Sequence, residues 1–167
     1  MKRTVISFIL ILALLFSLTA CKKEKNFEYC EIGIVLTRDF ELYDSGGAFA
    51  VAYSDGKTIV GFTRYSFVDC EEYGFLSTFT PLKFAEVYLG KMDEVNGIEI
   101  ERSGDVPYFC FSRLTDEGAY FYMPTFYRTP YAYFVITFIT PLQRESDGRV
   151  EFLEYASSVY ILQEYLQ

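Results

Sequence analysis

Histidine and tryptophan are both absent from the 167-residue sequence. Histidine is the commonest general base and the commonest zinc ligand in proteins, so its absence excludes Ser-His and Cys-His catalysis and histidine-rich metal sites. Basic clusters are scarce as well, because 15 lysines and arginines are scattered among 23 aspartates and glutamates. A nucleic acid backbone needs a continuous basic footprint, and we therefore expect no nucleic acid partner.

A long membrane-spanning run is missing too, but the chain begins with a shorter apolar segment. Two basic residues precede an uncharged run of 16 residues at 5–20, which is short for a transmembrane helix and typical of a signal peptide. The run ends in Leu18-Thr19-Ala20-Cys21, which resembles the bacterial lipobox. The resemblance implies cleavage between Ala20 and Cys21 and a diacylglycerol thioether on Cys21. A plain secretory signal cut near Ala20, and an uncleaved anchor, are the alternatives.

The lipobox divides the chain into three parts. Residues 1–20 are then a signal peptide, residues 21–28 a lipidated cysteine with a polar tether, and residues 29–167 a single domain. Without the leader, 13 basic and 23 acidic residues give a net charge of −10. Diacylglycerol together with an amide-linked acyl chain such as palmitate holds a protein at a membrane without a span. We therefore expect the domain on the extracytoplasmic face of a bacterial membrane, the outer membrane being an option in a Gram-negative cell.

Three cysteines are left once Cys21 is assigned to the lipid. They are Cys30, Cys70 and Cys110, so at most one intramolecular disulfide can form. Cys30 with Cys70 is the one pairing that we consider, with free thiols as the alternative. No Cys-x-x-Cys spacing is present, so neither a redox motif nor a zinc site is predicted.

Along the mature chain, the spacing of the apolar residues changes from the alternation typical of strands to the three- and four-residue steps typical of a helix. Alternation predicts three strands at residues 31–36, 48–53 and 58–67, the last two joined by the hairpin signal Ser54-Asp55-Gly56-Lys57. Thr80-Pro81 then begins an amphipathic helix of about 12 residues. Its predicted apolar face consists of Leu82, Ala85, Leu89 and Met92, with Tyr88 alongside.

A second group of strands follows that helix. It is predicted at residues 98–101, 106–114, 119–127 and 131–140, and a shorter helix begins near residue 150. Apolar residues occur on both faces of the later strands, which is typical of strands covered on both sides. The sequence therefore predicts a single α+β domain, with a mainly antiparallel sheet of six or seven strands and two helices packed on its faces.

This order of elements resembles the Mog1/PsbP-like superfamily, in particular its small bacterial lipoproteins. The residues behind the resemblance are the strand at 31–36 followed by Phe40, the aromatic strand at 133–138 and the closing segment at 152–159. Thr37 and Arg38 stand where the family usually has a proline. The family shares no common chemistry, and its members look like accessory and binding proteins. The resemblance therefore implies a role of that kind for this chain.

Acidic residues form three local groups that a hydrolase could use. They are Asp69/Glu71/Glu72, Asp93/Glu94 and Asp116/Glu117. A carboxylate mechanism needs two such groups from different segments to converge in one cleft, whereas neighbours on one loop are typical of a solvated surface. The spacing of an EF-hand loop is absent, and we predict no metal and no cofactor.

Aromatic residues are the remaining feature, with 30 phenylalanines and tyrosines in the 147 mature residues. Tyrosine rings suit binding surfaces for peptides and glycans as well as half-buried strands. We predict a partner-binding patch of Phe126, Tyr127, Tyr131 and Tyr133 around a proline-containing turn. The alternative is that these rings pack the sheet beneath the helices.

These observations favour a non-enzymatic, membrane-tethered extracytoplasmic protein that binds a partner. The partner is an envelope protein or a small apolar or glycan ligand. An envelope hydrolase that works with paired carboxylates is the alternative, and a purely structural assembly subunit is a third possibility.

Overall fold

Eleven strands and two α-helices make up the part of the chain that the computed structural model describes, residues 23–93, 95 and 97–166. The predicted signal peptide at residues 1–20, which includes Ala20, and the predicted lipidation site Cys21 lie outside the described residues. In chain order the elements are β1 (Glu24–Tyr29), β2 (Ile32–Thr37), β3 (Glu41–Leu42), β4 (Val51–Ser54), β5 (Ile59–Ser66), α1 (Pro81–Leu89), β6 (Glu101–Ser103), β7 (Val106–Tyr108), β8 (Phe111–Thr115), β9 (Gly118–Arg128), β10 (Ala132–Pro141), α2 (Glu145–Ser157) and β11 (Tyr160–Ile161).

Antiparallel pairing builds a main sheet of eight strands, so the predicted α+β class is confirmed. The strand order is β3-β4-β5-β10-β9-β7-β6, with β8 paired to the first half of β9. The centre is the long β9–β10 hairpin, which is in register from Tyr133 opposite Arg128 to Pro141 opposite Tyr120. Thr129 closes its turn, because its hydroxyl oxygen accepts the Ala132 amide at 3.0 Å.

A second sheet of three strands, β1-β2-β11, corrects the predicted tether. The sequence assigns residues 21–28 to a polar leash, but β1 already begins at Glu24, which lies opposite Thr37 of β2. Phe27 is the one buried residue of β1, and most of the other residues of the strand are polar and exposed. Charged side chains of this kind are common on edge strands, where they discourage pairing with other molecules, and they conceal the strand in the sequence.

Helix α1 packs on one face of the main sheet. It begins as predicted, since the Thr80 hydroxyl oxygen accepts the Lys83 amide at 3.2 Å and Pro81 occupies the first turn. It ends at Leu89, after nine residues. Phe84, which the predicted apolar face omits, stacks on Tyr133 of the sheet at a ring-centroid distance of 4.4 Å.

Helix α2 and the small sheet cover the opposite face. The helix begins at Glu145, before the predicted start near residue 150. Its first three residues are polar and exposed, so no apolar signal marks this start in the sequence. Phe152 stacks on Phe138 of β10 at 5.2 Å, and Tyr155 meets Phe40 edge-on at 5.9 Å. The two faces thus have separate aromatic cores with β9 and β10 between them.

Candidate functional site: a tyrosine-lined groove

One face of the main sheet is only half covered. Odd-numbered residues of β10 point towards α1, and its first half, with Tyr133 and Val135, packs into the core beneath that helix. A helix of nine residues is about 13 Å long, whereas a strand of ten residues spans about 33 Å. The second half of β10, from Thr137 to Pro141, therefore extends beyond the helix.

Beyond α1, this face holds an open groove of about 540 Å³, beneath which Thr137 and Ile139 are buried. Its floor is apolar and consists of Ile59, Ile139 and Pro141, with Ile139 directly opposite both Ile59 of β5 and Tyr122 of β9. Tyrosine rings dominate the rest of the lining; they are Tyr43, which follows β3, and Tyr120 and Tyr122 of β9.

Tyr122 is held rigidly at the side of the groove. Its ring stacks on Phe111 of β8 at a centroid distance of 5.0 Å and an interplanar angle of 8°. Burial raises the pKa of the Tyr122 phenol, and the Arg113 guanidinium acts in the opposite direction. The hydroxyl is therefore protonated at neutral pH and available as a hydrogen-bond donor to a ligand.

The first rim of the groove is the β4–β5 turn. The Asp55 carboxylate accepts the Lys57 amide at 2.9 Å and the Thr58 amide at 2.7 Å, and Gly56 takes a φ of +82° that suits glycine. The Thr140 hydroxyl donates to the Lys57 carbonyl at 3.2 Å, which joins this turn to β10. The rim is thus fixed relative to the floor.

The second rim is the β8–β9 turn, which carries two acidic residues. The Thr115 hydroxyl donates to the Gly118 carbonyl at 3.0 Å and closes the turn. Asp116 and Glu117 are exposed there and line the groove, with Lys57 across it as the one basic lining residue. Asp116 and Glu117 take part in none of the ion pairs between described residues.

The predicted aromatic patch is wrong. Phe126 and Tyr133 are fully buried beneath α1, and Tyr127 lies on the opposite face, where its hydroxyl donates to the Ala156 carbonyl at 2.9 Å. Successive residues of a strand point to opposite faces, so these rings cannot share one surface. Tyr131 alone among the four is well exposed, at 49%.

Of the two alternatives for Cys30 and Cys70, a disulfide or free thiols, the structure has free thiols. Cys30 is exposed in the β1–β2 turn, whereas Cys70 is fully buried in the core beneath α1, and both are free. Cys110 is also free, and burial raises the pKa of its thiol to about 11.

The acidic groups do not converge in one cleft. Residues 69, 71 and 72 are exposed on the turn after β5, and Asp93 is exposed after α1. Glu94 lies outside the described residues. Among the described members of this set, Asp116 and Glu117 are the two that line the groove.

A second cavity of about 540 Å³ lies beside α2 and was not predicted. It brings together Glu24 of β1 and Glu151 of α2, with Arg144 at its side. An Arg144 guanidinium nitrogen lies 3.7 Å from the Glu151 carboxylate, and the Tyr155 hydroxyl donates to the same carboxylate at 3.0 Å.

The described residues contain neither a membrane-spanning helix nor a metal-binding cluster. No helix there is long and apolar enough to cross a bilayer. No group of three or more cysteines, aspartates and glutamates in that part of the chain is arranged to hold a metal ion.

The domain has a PsbP-like α+β fold, as comparison with known proteins shows. The chain is similar to the solution structure of cyanobacterial PsbP (CyanoP) from Synechocystis sp. PCC 6803, with a TM-score of 0.56 and 9% sequence identity. The match covers 86% of this chain and 95% of that one. No protein-family model and no curated protein matches the sequence. At this identity the likeness concerns the fold alone.

Proposed function

We propose that this protein is a lipid-anchored, extracytoplasmic binding module of the bacterial envelope, without enzymatic activity of its own. The observation that carries the proposal is the tyrosine-lined groove. Concave, mostly apolar surfaces with a few fixed polar groups are the usual form of binding sites. The groove combines an apolar floor, rigid rings and two hydrogen-bonded rims.

The exposure of the tyrosine rings in the groove supports a role in binding a partner rather than a role in packing the core. Tyr43 is 43% exposed, and it lines the groove without belonging to either aromatic core. Tyrosine presents a large amphipathic surface at a low cost in side-chain entropy, because only two torsions are fixed on binding. These rings are therefore suited to an envelope protein or a small ligand.

The lipobox of the sequence supports the anchored location. Cys21 would carry diacylglycerol, and cleavage after Ala20 would remove the apolar leader. The intact mass of the protein purified from cell membranes tests this part, with Cys21→Ser as the control variant. The expected result is a chain that begins at Cys21 with the mass of its acyl groups, and an unmodified thiol there would refute the lipid anchor.

Photocrosslinking in living cells tests the binding role. Benzoylphenylalanine is introduced at Tyr43, in the groove, and in a matched variant at Tyr73, which is 55% exposed but lies on the turn before α1. We expect a discrete crosslinked product from position 43 and none from position 73. Equal crosslinking at the two positions, or no product at position 43, would contradict a binding role for the groove and would favour a structural subunit.

The cavity beside α2 supports a second candidate, an envelope hydrolase that uses paired carboxylates. Glu24 and Glu151 come from distant segments and line the same cavity. Such an enzyme would lose turnover of envelope esters, glycosides or peptides in Glu151→Gln and keep it in Glu117→Gln, whose side chain lies in the groove. Turnover that is absent from the wild-type protein, or equal in both variants, would refute this candidate.

A further inference from the structure

We infer that the occupant of the groove is an extended, basic segment of another envelope protein, with aliphatic residues beside its lysines or arginines. The inference rests on the proposed binding function and adds the chemistry of the partner. It follows from the charge of the rims, the chemistry of the rings and the width of the groove.

The charge of the groove favours a cation. Asp116 and Glu117 outnumber Lys57 among the lining residues. Arg113, a further cation near the rings, lies outside the lining. Two further carboxylates belong to the adjoining turns, since Asp55 accepts the Lys57 amide and Asp44 follows Tyr43 in the chain. Opposite charges across an interface favour association and exclude like-charged partners.

The rings and the floor suit lysine and arginine side chains in particular. An ammonium or guanidinium group is attracted electrostatically to the face of a tyrosine ring. The aliphatic part of the same side chain packs on apolar surface while its charged end stays near water. Tyr120 and Tyr122 offer the rings, and the partly exposed Ile59 and Pro141 offer the apolar surface beside them.

The width of the groove suits an extended chain. Strand β10 forms the floor, and the two rims belong to the turns that precede its neighbours, β5 and β9. Neighbouring strands are about 4.8 Å apart, so β5 and β9 are about 10 Å apart. This spacing admits one extended polypeptide, which is about as wide as the distance between packed sheets.

Fluorescence anisotropy of a labelled peptide tests the inference on the intact protein in a non-ionic detergent. The probe is a capped nine-residue peptide that alternates lysine or arginine with leucine, and the control peptide has glutamate at each basic position. We expect saturable binding of the basic peptide, at least ten-fold tighter than binding of the acidic one. Equal affinities, or no saturable binding of the basic peptide, would overturn the inference.

Two charge-matched double variants localise the binding. Asp116→Asn with Glu117→Gln neutralises the groove rim, and Glu71→Gln with Glu72→Gln removes the same charge from the exposed turn after β5. We expect about a five-fold loss of affinity for the first pair, since each exposed contact contributes up to about 1 kcal/mol, and less than a two-fold loss for the second. Equal losses would show attraction to the net charge alone and would overturn the inference.

Failure of the inference can be distinguished from failure of the proposed function. A crosslinked protein at position 43 together with no preference for the basic peptide would leave the binding function in place and refute the basic partner. A crosslinked product that contains no protein would refute it as well. Circular dichroism of the double variants controls for folding, which we expect to be unchanged because all four side chains are exposed.

Discussion

Glu31 and Arg64 form an ion pair that joins the two sheets. Glu31 lies in the turn between β1 and β2 and is 3% exposed, and its carboxylate accepts from the Arg64 Nε on β5 at 2.9 Å. The Glu31 carbonyl also accepts the Leu162 amide at 3.0 Å, which ties the carboxyl-terminal segment to the same turn. One acidic residue thus holds three parts of the chain together.

Removal of this acid should destabilise the domain. Glu31→Gln leaves the Arg64 guanidinium half-buried beside a neutral amide, and we expect a loss of about 2–3 kcal/mol in the free energy of unfolding. Denaturant unfolding measures the loss. The double variant Glu31→Leu with Arg64→Met removes both charges and should recover most of it, whereas a double variant as unstable as Glu31→Gln would contradict this account.

The same pair predicts how stability depends on pH. Burial acts to raise the pKa of the Glu31 carboxyl, but the Arg64 guanidinium outweighs it and the pKa is lowered from the ordinary value of 4.5. A lowered pKa in the folded state contributes stability above the unfolded value, and this contribution is lost as the pH falls through the folded pKa. Below about pH 4.5, unfolding free energies should therefore fall more steeply for the wild-type protein than for Glu31→Gln. Parallel curves would exclude Glu31 as the source.

Gly33 is required by a ring that lies against it. A Cβ atom at this position would clash with the Tyr160 ring of β11, which pairs with β2 at this point. Gly33→Ala should cost about 1–3 kcal/mol of stability through overpacking. Adding Tyr160→Ala should reduce the further cost of the alanine to near zero in a double-mutant cycle measured by thermal unfolding. Additive losses would show that the contact is not the cause.

Tyrosine hydroxyls distinguish the structural rings from the exposed one. Tyr133 donates its hydroxyl to the loop before α1, within 2.7 Å of the Leu76 carbonyl and 2.9 Å of the Phe79 carbonyl, and Tyr127 donates to α2. Replacement of either by phenylalanine should cost about 1 kcal/mol. Tyr131→Phe is the control, and its unfolding midpoint should be unchanged. A neutral Tyr133→Phe would contradict the assigned bond.

Thiol labelling should separate the three described cysteines. Cys30 is exposed, Cys70 is fully buried, and burial raises the pKa of the Cys70 and Cys110 thiols. A brief maleimide treatment at neutral pH should therefore add one label, which the mass spectrum should place on Cys30. The label should be lost in Cys30→Ser. Two cysteines that remain unlabelled after unfolding without a reductant would instead reveal a disulfide.

Local signals in the sequence predicted most of the main sheet and the start of α1. Gly56 adopts the positive φ that the Asp-Gly turn requires, and Thr80 caps the helix as its hydroxyl suggests. Strand β1 could not be predicted in the same way. It pairs with the next strand, β2, but has one buried ring, Phe27, so it carries little apolar periodicity of its own.

The groove could not be located from the sequence because it depends on how far a helix extends over a sheet. Residues 120–138 are apolar on both faces, and this pattern predicts that other elements cover the strands on both sides. That inference holds at Phe126, beneath α1, and fails at Tyr122, which lies beyond the end of the covered region. Comparing the lengths of α1 and β10 would have revealed the mismatch, but not which half of the strand is left open.

The early start of β1 determines how far the domain could extend from a lipid attached to Cys21. Glu24 lies opposite Thr37, and the Arg38 amide donates to the Lys23 carbonyl at 2.7 Å, so the chain is held within the small sheet from Lys23 onward. If Cys21 carries the proposed lipid, two residues separate it from Glu24, the first residue of the strand, and the three Cα–Cα steps span about 10 Å when fully stretched. A domain of this size is about 40 Å across. An anchored domain of this kind can contact partners only within a layer next to the bilayer that is little deeper than the domain itself.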